Sequence, residues 1–432
     1  MVHESVTAFT KLIKDISILK SDIADSKGQH ALSNREKRYF YACSELLKIK
    51  FELLRKVYED SHLIDEKITD LKEISDDLNL SFVSHGGSML TIVFEKIDEF
   101  LRFTGVWTCI IVGAVFLAVP SIIIKQLDYY LLYRGIINPF QQFSVLAKRF
   151  MNYSVLALSG ISLVVDGMDL DYFGKSCVIT CFSHSSTMDA FILSYVIPTR
   201  HYTICKKDLF LIPFFAWLMI AYDGLPIDRS NIESASQCLT TAAENAQLGD
   251  CLCMAPEGTR TKTGQLIGFK KGPFYVWEKL KTDIVPIVVF GAYELYPPGK
   301  QMTIPGRVHV QVLPPVPSSA AHTREDMSQI LRIKMLEAIL DAPEEAGQAL
   351  TWSERRRNMI ALTIMFTLDY LLYKCTSIFF FNYLKWSAQK TFIVFITYTI
   401  VMTILLYFYA CRLVVKKKDS GVGKKVDTKK SM

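Results

Sequence analysis

The ten cysteines of this sequence follow neither a disulfide framework nor the spacing of a metal site. The closest pair, Cys251 and Cys253, lies in a strand-like run with no ligand-spaced partner nearby. Disulfide frameworks are typical of proteins in oxidising compartments. We therefore expect reduced thiols that face the cytosol or lipid, and no metal site.

The start of this sequence has little of the apolar character of a cleavable signal peptide, and the chain has little of the strongly basic character of proteins that bind nucleic acid. Its first residues include Glu4, Lys11 and Asp15, which are too polar for a signal peptide. The net charge is only +6, and much of the positive excess falls in the tail at 416–432. We expect no nucleic-acid partner, and we expect delivery to a membrane through internal segments.

The balance of apolar and charged residues is unusual for a single soluble domain. Apolar residues make up 50% of the 432 residues and aromatic residues 12%, whereas charged residues make up 21%. This composition is too apolar for an ordinary soluble protein and too charged for a polytopic transporter. It favours one sizeable soluble domain combined with membrane segments.

Residues 1–100 carry helical periodicity, with charged residues between the apolar positions. The apolar residues recur at three- and four-residue steps around 9–23, 40–58 and 64–78. We predict amphipathic helices here, suited to a helical hairpin or a partner helix. A stabilising or self-associating appendage is the favoured role, and recruitment of a protein partner is the alternative.

A long apolar segment follows these helices. The twenty uncharged residues at 105–124 are long enough to cross a hydrocarbon core of about 30 Å. Pro120 and the aromatic-rich continuation to Tyr133 fit equally well a bent helix pair that dips into one leaflet. We therefore predict a membrane-embedded segment over residues 105–135 and leave its depth open.

A second apolar region precedes the basic tail. The uncharged run at 391–411 is the clearest transmembrane helix, and with the poorer run at 358–381 it predicts a membrane hairpin over 358–415. The positive-inside rule then places the tail at 416–432 and the region before the hairpin in the cytosol. Lys429 and Lys430 resemble a dilysine retrieval signal, so we expect the chain in the endoplasmic reticulum membrane.

Strand-like apolar runs alternate with helical stretches over residues 145–345. Strands are predicted at 176–182, 202–205, 225–227, 251–254, 284–290 and 308–313. Helices are predicted over 231–247 and after a capping box formed by Thr323 and Asp326. This alternation predicts an α/β domain with a central, mostly parallel sheet flanked by helices.

His184 follows the first predicted strand, where a strand gives way to a helix. Asp189 lies about one turn into that helix and can reach back to one imidazole nitrogen. Such a bond fixes the tautomer and leaves the other nitrogen as a base. The spacing alone is weak support, because eight histidines give it a fair chance of arising at random.

Three further motifs follow in order and give the histidine its context. They are the runs GLPIDR at 224–229, APEGTR at 255–260 and IVPIV at 284–288. Together with FSHSSTMD at 182–189, they resemble the four ordered motifs of the glycerolipid acyltransferase family, specifically the 1-acylglycerol-3-phosphate acyltransferases. The likeness extends over about residues 145–315, and both ends of the chain lie outside it.

The resemblance implies a role for each matching residue. His184 would be the general base, and Asp189 would orient it. Lys206 would contact the acceptor phosphate, as would either Arg229 or the loop of Glu257, Gly258, Thr259 and Arg260. Pro286 would shape the acceptor pocket. No metal and no bound organic cofactor is implied, because acyl-CoA enters as a co-substrate.

The implied reaction moves a fatty acyl group from acyl-CoA onto the sn-2 hydroxyl of lysophosphatidate and gives phosphatidate. An alcohol is a poor nucleophile until a base takes its proton, and such a base contributes about 10²–10⁴-fold. A thioester brings a good leaving group, so we expect direct attack without a covalent enzyme intermediate. Ser183, Ser185 and Ser186 lie beside the histidine, but no Gly-x-Ser-x-Gly elbow surrounds them, which disfavours a hydrolase-like acyl-enzyme.

The acceptor is less sharply defined than the reaction. Arg260 directly after Thr259 resembles the branch that uses lysophosphatidate, and glycerol-3-phosphate or another lysophospholipid is the alternative acceptor. Ser183 and Ala255 stand where the family usually has asparagine and phenylalanine, which bears on efficiency and substrate preference. A non-catalytic membrane scaffold is the alternative from another class, and the intact motifs disfavour it.

Overall fold

The computed structural model describes most of the chain up to residue 355. The described residues are 2–29, 32–55, 62–81, 89–174, 178–212, 214–228, 237–238, 240–241, 243–244, 250–351 and 353–355. The chain divides into two compact units, Met1–Thr351 and Trp352–Met432. The helices and strands named below belong to the first unit. The predicted hairpin at 358–415 and tail at 416–432 lie outside the described residues.

A seven-stranded sheet forms the centre of the first unit, counting the strands of the described residues. Its strands are β1 (Ile161–Asp166), β2 (Val178–Phe182), β3 (His201–Lys206), β4 (Gly224–Ile227), β5 (Cys251–Met254), β6 (Ile284–Phe290) and β7 (Gly306–Val312). The order across the sheet is β1-β7-β6-β2-β5-β3-β4. All neighbours are parallel except β6 and β7. The predicted α/β domain with a mostly parallel central sheet is therefore confirmed, and β2 to β6 all end at the same edge.

Helices cover both faces of this sheet. Those of the domain are α6 (Phe143–Leu158), α7 (Asp189–Val196), α8 (Phe215–Ala221), α9 (Gly272–Leu280), α10 (Ala292–Leu295) and α11 (Arg324–Leu340). Successive strand residues point to opposite faces. Val178 accordingly packs in a cluster with α6 and α7, whereas Ile179 packs in a second cluster with α9 and α11. The predicted capping box at the start of α11 is confirmed, since Thr323 and Asp326 exchange side-chain and backbone hydrogen bonds.

Three charged helices precede the domain, as the periodicity of the first 100 residues predicts. They are α1 (Val2–Gln29), α2 (Asn34–Arg55) and α3 (His62–Asp77). Their apolar stripes are buried, and Phe51, Ile64 and Leu71 are at most 2% exposed. α2 packs against α3 and α11, and these side chains join the cluster that contains Trp277 of α9. The helices therefore share a core with the sheet instead of standing apart as an appendage.

The segment at 105–135 lies in a bent helical pair. α4 (Met89–Gly113) passes through a π-helical turn at Ala114–Ala118 into α5 (Val119–Tyr133), with Pro120 in the first turn of α5. No helix among the described residues is both long and apolar enough to cross a membrane. The spanning interpretation of residues 105–124 therefore finds no support there, because the first half of α4 is charged and α5 has only 15 residues.

Candidate active site

Polar residues of the first and third motifs, at 182–189 and 255–260, gather at the edge where β2 to β6 end. In open α/β sheets, ligands bind beyond the carboxyl ends of the strands. His184 follows β2, and the run 255–260 follows β5, which pairs directly with β2. Lys206 ends β3, on the far side of β5. The topology alone therefore brings residues that are far apart in the sequence to one rim.

His184 and Asp189 form a hydrogen-bonded pair, as their spacing predicts. The His184 Nδ1 atom lies 2.9 Å from Asp189 Oδ2. The same carboxylate oxygen accepts the backbone N–H groups of Ser185 and Ser186, each at 2.8 Å. Asp189 is fully buried in the first turn of α7, whereas the His184 side chain is 20% exposed. The arrangement holds one imidazole nitrogen and leaves Nε2 for a substrate.

Glu257 joins the loop of His184 to the loop after β5. Its Oε1 accepts the backbone N–H of His184 at 2.6 Å, and its Oε2 accepts the backbone N–H of Ile267 at 3.0 Å. The Thr261 N–H in turn donates to the His184 carbonyl at 3.0 Å. Burial raises the pKa of Glu257 to about 8, and the two N–H donors oppose that rise. Both carboxyl oxygens of Glu257 thus accept hydrogen bonds from the backbone. From the sequence, Glu257 was expected to contact the substrate, and this supporting role was not predicted.

Gly258, Thr259 and Arg260 form the exposed part of the loop after β5, which we call the phosphate loop. Gly258 has a φ of +70°, and a Cβ there would lie 2.9 Å from the Lys270 side chain. Arg260 Nη1 donates to the hydroxyl of Thr187, three residues after His184. The loop therefore presents a glycine turn, a hydroxyl and a guanidinium beside the general base.

The other predicted substrate-binding residues do not lie in the phosphate loop. Lys206 is exposed at the end of β3 and pairs with Asp208. Arg229 lies outside the described residues. Pro286 lies inside β6 opposite Cys181, four residues before the strand ends, and its carbonyl accepts from Leu313. The structure thus brings Lys206 to the rim with the motif loops and places Pro286 within the sheet.

The serines beside His184 hold backbone groups. Ser183 Oγ accepts the Val289 N–H at 2.9 Å, and Ser186 Oγ donates to the Tyr296 carbonyl at 2.8 Å. Ser183 stands where the resemblance leads us to expect asparagine, and its hydroxyl links the end of β2 to β6 by a hydrogen bond. These two hydroxyls are engaged in support, which further disfavours an acyl-enzyme through either of them.

A cavity of about 30 Å³ for water-sized molecules lies beside His184 and Glu257. Its other walls include Gln265, Leu266 and Arg38, the last from helix α2. Arg38 was not predicted, because a lone arginine on a charged helix carries no sequence signal. No group of three or more metal-binding side chains occurs in the part of the chain that the structure describes.

The same region matches known proteins in sequence. Residues 167–290 match the family model described as Acyltransferase. The 1-acyl-sn-glycerol-3-phosphate acyltransferase of Saccharomyces cerevisiae is 30% identical over 189 residues, covering 42% of this chain and 62% of that protein. The chloroplastic 1-acyl-sn-glycerol-3-phosphate acyltransferase of Arabidopsis thaliana is 29% identical over 223 residues, covering 51% of this chain and 61% of that protein.

The matches leave part of each relative uncovered. The match to the 1-acyl-sn-glycerol-3-phosphate acyltransferase of Cocos nucifera, at 29% identity, covers 36% of this chain and 50% of the relative. The chain thus spans about half to three fifths of the length of these relatives. The crystal structure of the 1-acyl-sn-glycerophosphate acyltransferase from Thermotoga maritima superposes with a TM-score of 0.45 at 19% identity, covering 57% of this chain and 96% of that chain.

Proposed function

Because this chain belongs to the glycerolipid acyltransferase family, we propose that it transfers a fatty acyl group from acyl-CoA to the free sn-2 hydroxyl of lysophosphatidate. The products would be phosphatidate and free CoA. The observation that carries the proposal is the bond between His184 and buried Asp189, beside a loop that offers Arg260 to an anion. The names of the relatives support the choice of lysophosphatidate as acceptor.

The pair has the geometry of a general base with an orienting partner. Asp189 holds Nδ1, so Nε2 of His184 takes the proton of the acceptor hydroxyl as its oxygen attacks the thioester carbonyl. The tetrahedral intermediate then collapses, the carbon–sulfur bond breaks, and the imidazolium returns its proton to the leaving CoA sulfur. A new ester and a free thiol result, and no enzyme-bound acyl group is needed.

The phosphate loop suits the anionic head of the acceptor. A phosphomonoester offers several strong acceptor oxygens, which an arginine fork binds through charge-assisted hydrogen bonds. Arg260 is exposed and beside Thr187, Gly258 allows close backbone approach, and Thr259 adds a hydroxyl. Lys206 can leave its exposed pair with Asp208 at little cost. Arg229 joins this set by resemblance alone.

One assay tests the proposal and ranks its alternatives. Purified full-length protein is given labelled acyl-CoA with lysophosphatidate, glycerol-3-phosphate, lysophosphatidylcholine or no acceptor. We expect phosphatidate and an equal amount of free thiol with lysophosphatidate, and slower transfer to the other acceptors. Faster transfer to glycerol-3-phosphate or lysophosphatidylcholine would reassign the acceptor, and no transfer to any acceptor would leave the scaffold as the better explanation.

We also propose that α4, α5 and α8 rest in one leaflet of the endoplasmic reticulum membrane, with the site on the cytosolic side. Phe100, Ile123 and Tyr133 are 67%, 72% and 88% exposed, and such apolar surface is costly in water. The other large apolar side chains exposed on these three helices are Ile97, Leu101, Phe103, Trp107, Ile111, Ile122, Leu127, Tyr130, Trp217 and Ile220.

Hydrogen–deuterium exchange on vesicles tests this attachment, because full-length protein also carries the predicted hairpin at 358–415, which would bind vesicles by itself. In full-length protein bound to phosphatidylcholine vesicles, Phe100→Glu combined with Ile123→Glu should make the amides at 97–133 exchange faster than in the wild type, because two charges enter the apolar surface. Leu53→Glu on α2, where the leucine is 42% exposed, is the control and should leave this exchange unchanged. Equal exchange at 97–133 in all three proteins would contradict the proposed contact.

A further inference from the structure

We infer that the N-terminal helices α2 and α3 are a positioning part of the active site. They hold residues 261–267, which we call the support loop and which continues directly from the phosphate loop. The inference depends on the proposed function for what the loop would bind. The contacts that carry it come from helices outside the matched family segment at 167–290.

We call α2, α3 and the residues 78–81 that follow α3 the helical layer. Two hydrogen-bond donors of this layer reach backbone oxygens of the support loop. The Tyr41 hydroxyl of α2 donates to the Leu266 carbonyl at 2.5 Å. The Leu80 N–H, three residues after α3, donates to the Thr263 carbonyl at 2.9 Å. Tyr41 is 8% exposed, so its hydroxyl has little access to water and depends on this partner. The bonds thus fix two points of the support loop to the helices.

The support loop also reaches back into the helical layer. Gln265 is 3% exposed, and its Nε2 donates to the Leu78 carbonyl at 2.7 Å. Leu78 is itself buried in the core that α2 and α3 share with the sheet. A buried amide that loses its partner is costly, so this contact resists displacement of the loop.

A continuous series of polar contacts runs from α2 to the general base. Glu45 of α2 accepts from Arg332 of α11, whose second guanidinium nitrogen donates to the Ile267 carbonyl at 2.6 Å. The Ile267 N–H donates to Glu257, which accepts the His184 N–H on its other oxygen. The helical layer is therefore linked through one loop to both the base and the phosphate loop.

The helical layer also forms a wall of the cavity beside His184. Arg38 lines this cavity, pairs with buried Glu294 and lies 5.8 Å from the centre of the Phe290 ring. Its charge is therefore fixed close to the rim. A displacement of the helices would open the cavity to solvent as well as release the support loop.

Fixed placement of the support loop should matter most for the acceptor. The support loop continues into the phosphate loop, which supplies the contacts to the acceptor. If the support loop is loosened, ordering the phosphate loop adds an entropic cost to each binding event. The acyl-CoA thioester does not depend on the phosphate loop in the proposed mechanism. We therefore expect loss of the helical contacts to raise the KM for lysophosphatidate and to leave the KM for acyl-CoA unchanged.

The test uses two tyrosines on the same helix. Tyr41→Phe removes only the hydroxyl that holds Leu266, and the acceptor KM should rise about three- to tenfold, the usual effect of one lost hydrogen bond. Hydrogen–deuterium exchange of the amides at 258–267 should become faster in the same variant. Tyr39→Phe is the control, because Tyr39 is 47% exposed on α2, and it should change neither quantity.

A second variant tests the same link through a contact other than that of Tyr41. Glu45→Gln weakens the hold on Arg332 and should shift the acceptor KM and the exchange in the same direction. Unchanged acceptor KM or unchanged exchange in both variants overturns the inference, as do equal shifts in Tyr39→Phe. If the wild type transfers no acyl group to lysophosphatidate, the proposed function fails, and the exchange measurement still decides whether the helices hold the loop.

Discussion

Glu257 accepts the backbone N–H of His184 at 2.6 Å, although the two residues are 73 positions apart in the chain. The bond makes the loop after β2 and the loop after β5 one unit, with the base on one part and the phosphate loop on the other. A displacement of either loop should therefore displace the other. Glu257, which the resemblance groups with the substrate ligands, supports the backbone of the loop that carries the base.

Loss of the base should remove the chemistry and leave the fold intact. We expect His184→Ala to lower kcat about 10²–10⁴-fold, because the acceptor hydroxyl loses the group that takes its proton. The measurement is phosphatidate formation at saturating substrates. His322→Ala, at an exposed position before α11, is the matched control and should keep wild-type activity. Equal activity in the two variants would remove the proposed mechanism.

Burial of Glu257 predicts a pH dependence of stability. The carboxyl group ionises near 4.5 in the unfolded chain, and burial raises its folded-state pKa to about 8. Between these values the folded protein keeps a proton that the unfolded chain releases, so the free energy of unfolding falls as pH rises. The Tm of the wild type should therefore fall relative to that of Glu257→Gln between about pH 5 and pH 8.

A matched variant separates this effect from general surface titration. Glu337→Gln removes an exposed carboxylate from α11, and the Tm difference from the wild type should vary little over the same pH range. A Tm difference for Glu257→Gln that stays constant from pH 5 to pH 8 would show that the carboxyl group does not titrate in this range.

Gly258 should be needed for its turn and for its closeness to Lys270. Ala at this position adds a Cβ 2.9 Å from the Lys270 side chain at a φ of +70°. We expect the phosphate loop to shift and the KM for lysophosphatidate to rise several-fold. Gly299→Ala is the control for backbone strain, since Gly299 has a φ of +96° and open space around it. A similar KM in the two variants would argue against a specific role of the phosphate loop.

Much of the sheet could be predicted because its strands are short apolar runs between polar turns. The run at 284–290 coincides with β6, in which every residue is buried. β1 (Ile161–Asp166) was not predicted; it is an edge strand in which only Ile161 is buried. Edge position alone does not explain this miss, because β4, at the other edge of the sheet, was predicted at 225–227.

From local spacing alone, the site was predictable only where its residues are close in sequence. His184 and Asp189 lie on adjoining elements, so their spacing is enough to place them together. The contact between Tyr41 and Leu266 joins segments 225 residues apart, and no local pattern encodes such a distance. Pro286 lies within β6, and its place at the acceptor pocket stays a prediction.

Arg260 should carry much of the affinity for the acceptor. Arg260→Ala removes a guanidinium from the phosphate loop, and we expect the KM for lysophosphatidate to rise about tenfold or more, because charge-assisted bonds are stronger than neutral ones. Arg324→Ala, on exposed α11 surface, is the matched control. An unchanged KM for lysophosphatidate in Arg260→Ala would point to another cation as the phosphate ligand.

Arg38 and Glu294 form a buried ion pair, with side chains 6% and 1% exposed, that joins α2 to α10. Arg38→Met should lower the free energy of unfolding by about 3–5 kcal/mol, because Glu294 is left as a buried charge without its partner. Arg35→Met, on the same helix as Arg38, is the control: the ion pair of Arg35 with Glu344 is exposed, and its loss should cost about 0–1 kcal/mol. The double variant Arg38→Met with Glu294→Met removes both charges and should recover most of the loss in thermal unfolding. A double variant no more stable than Arg38→Met alone would show that α2 is held by its packing and not by this pair.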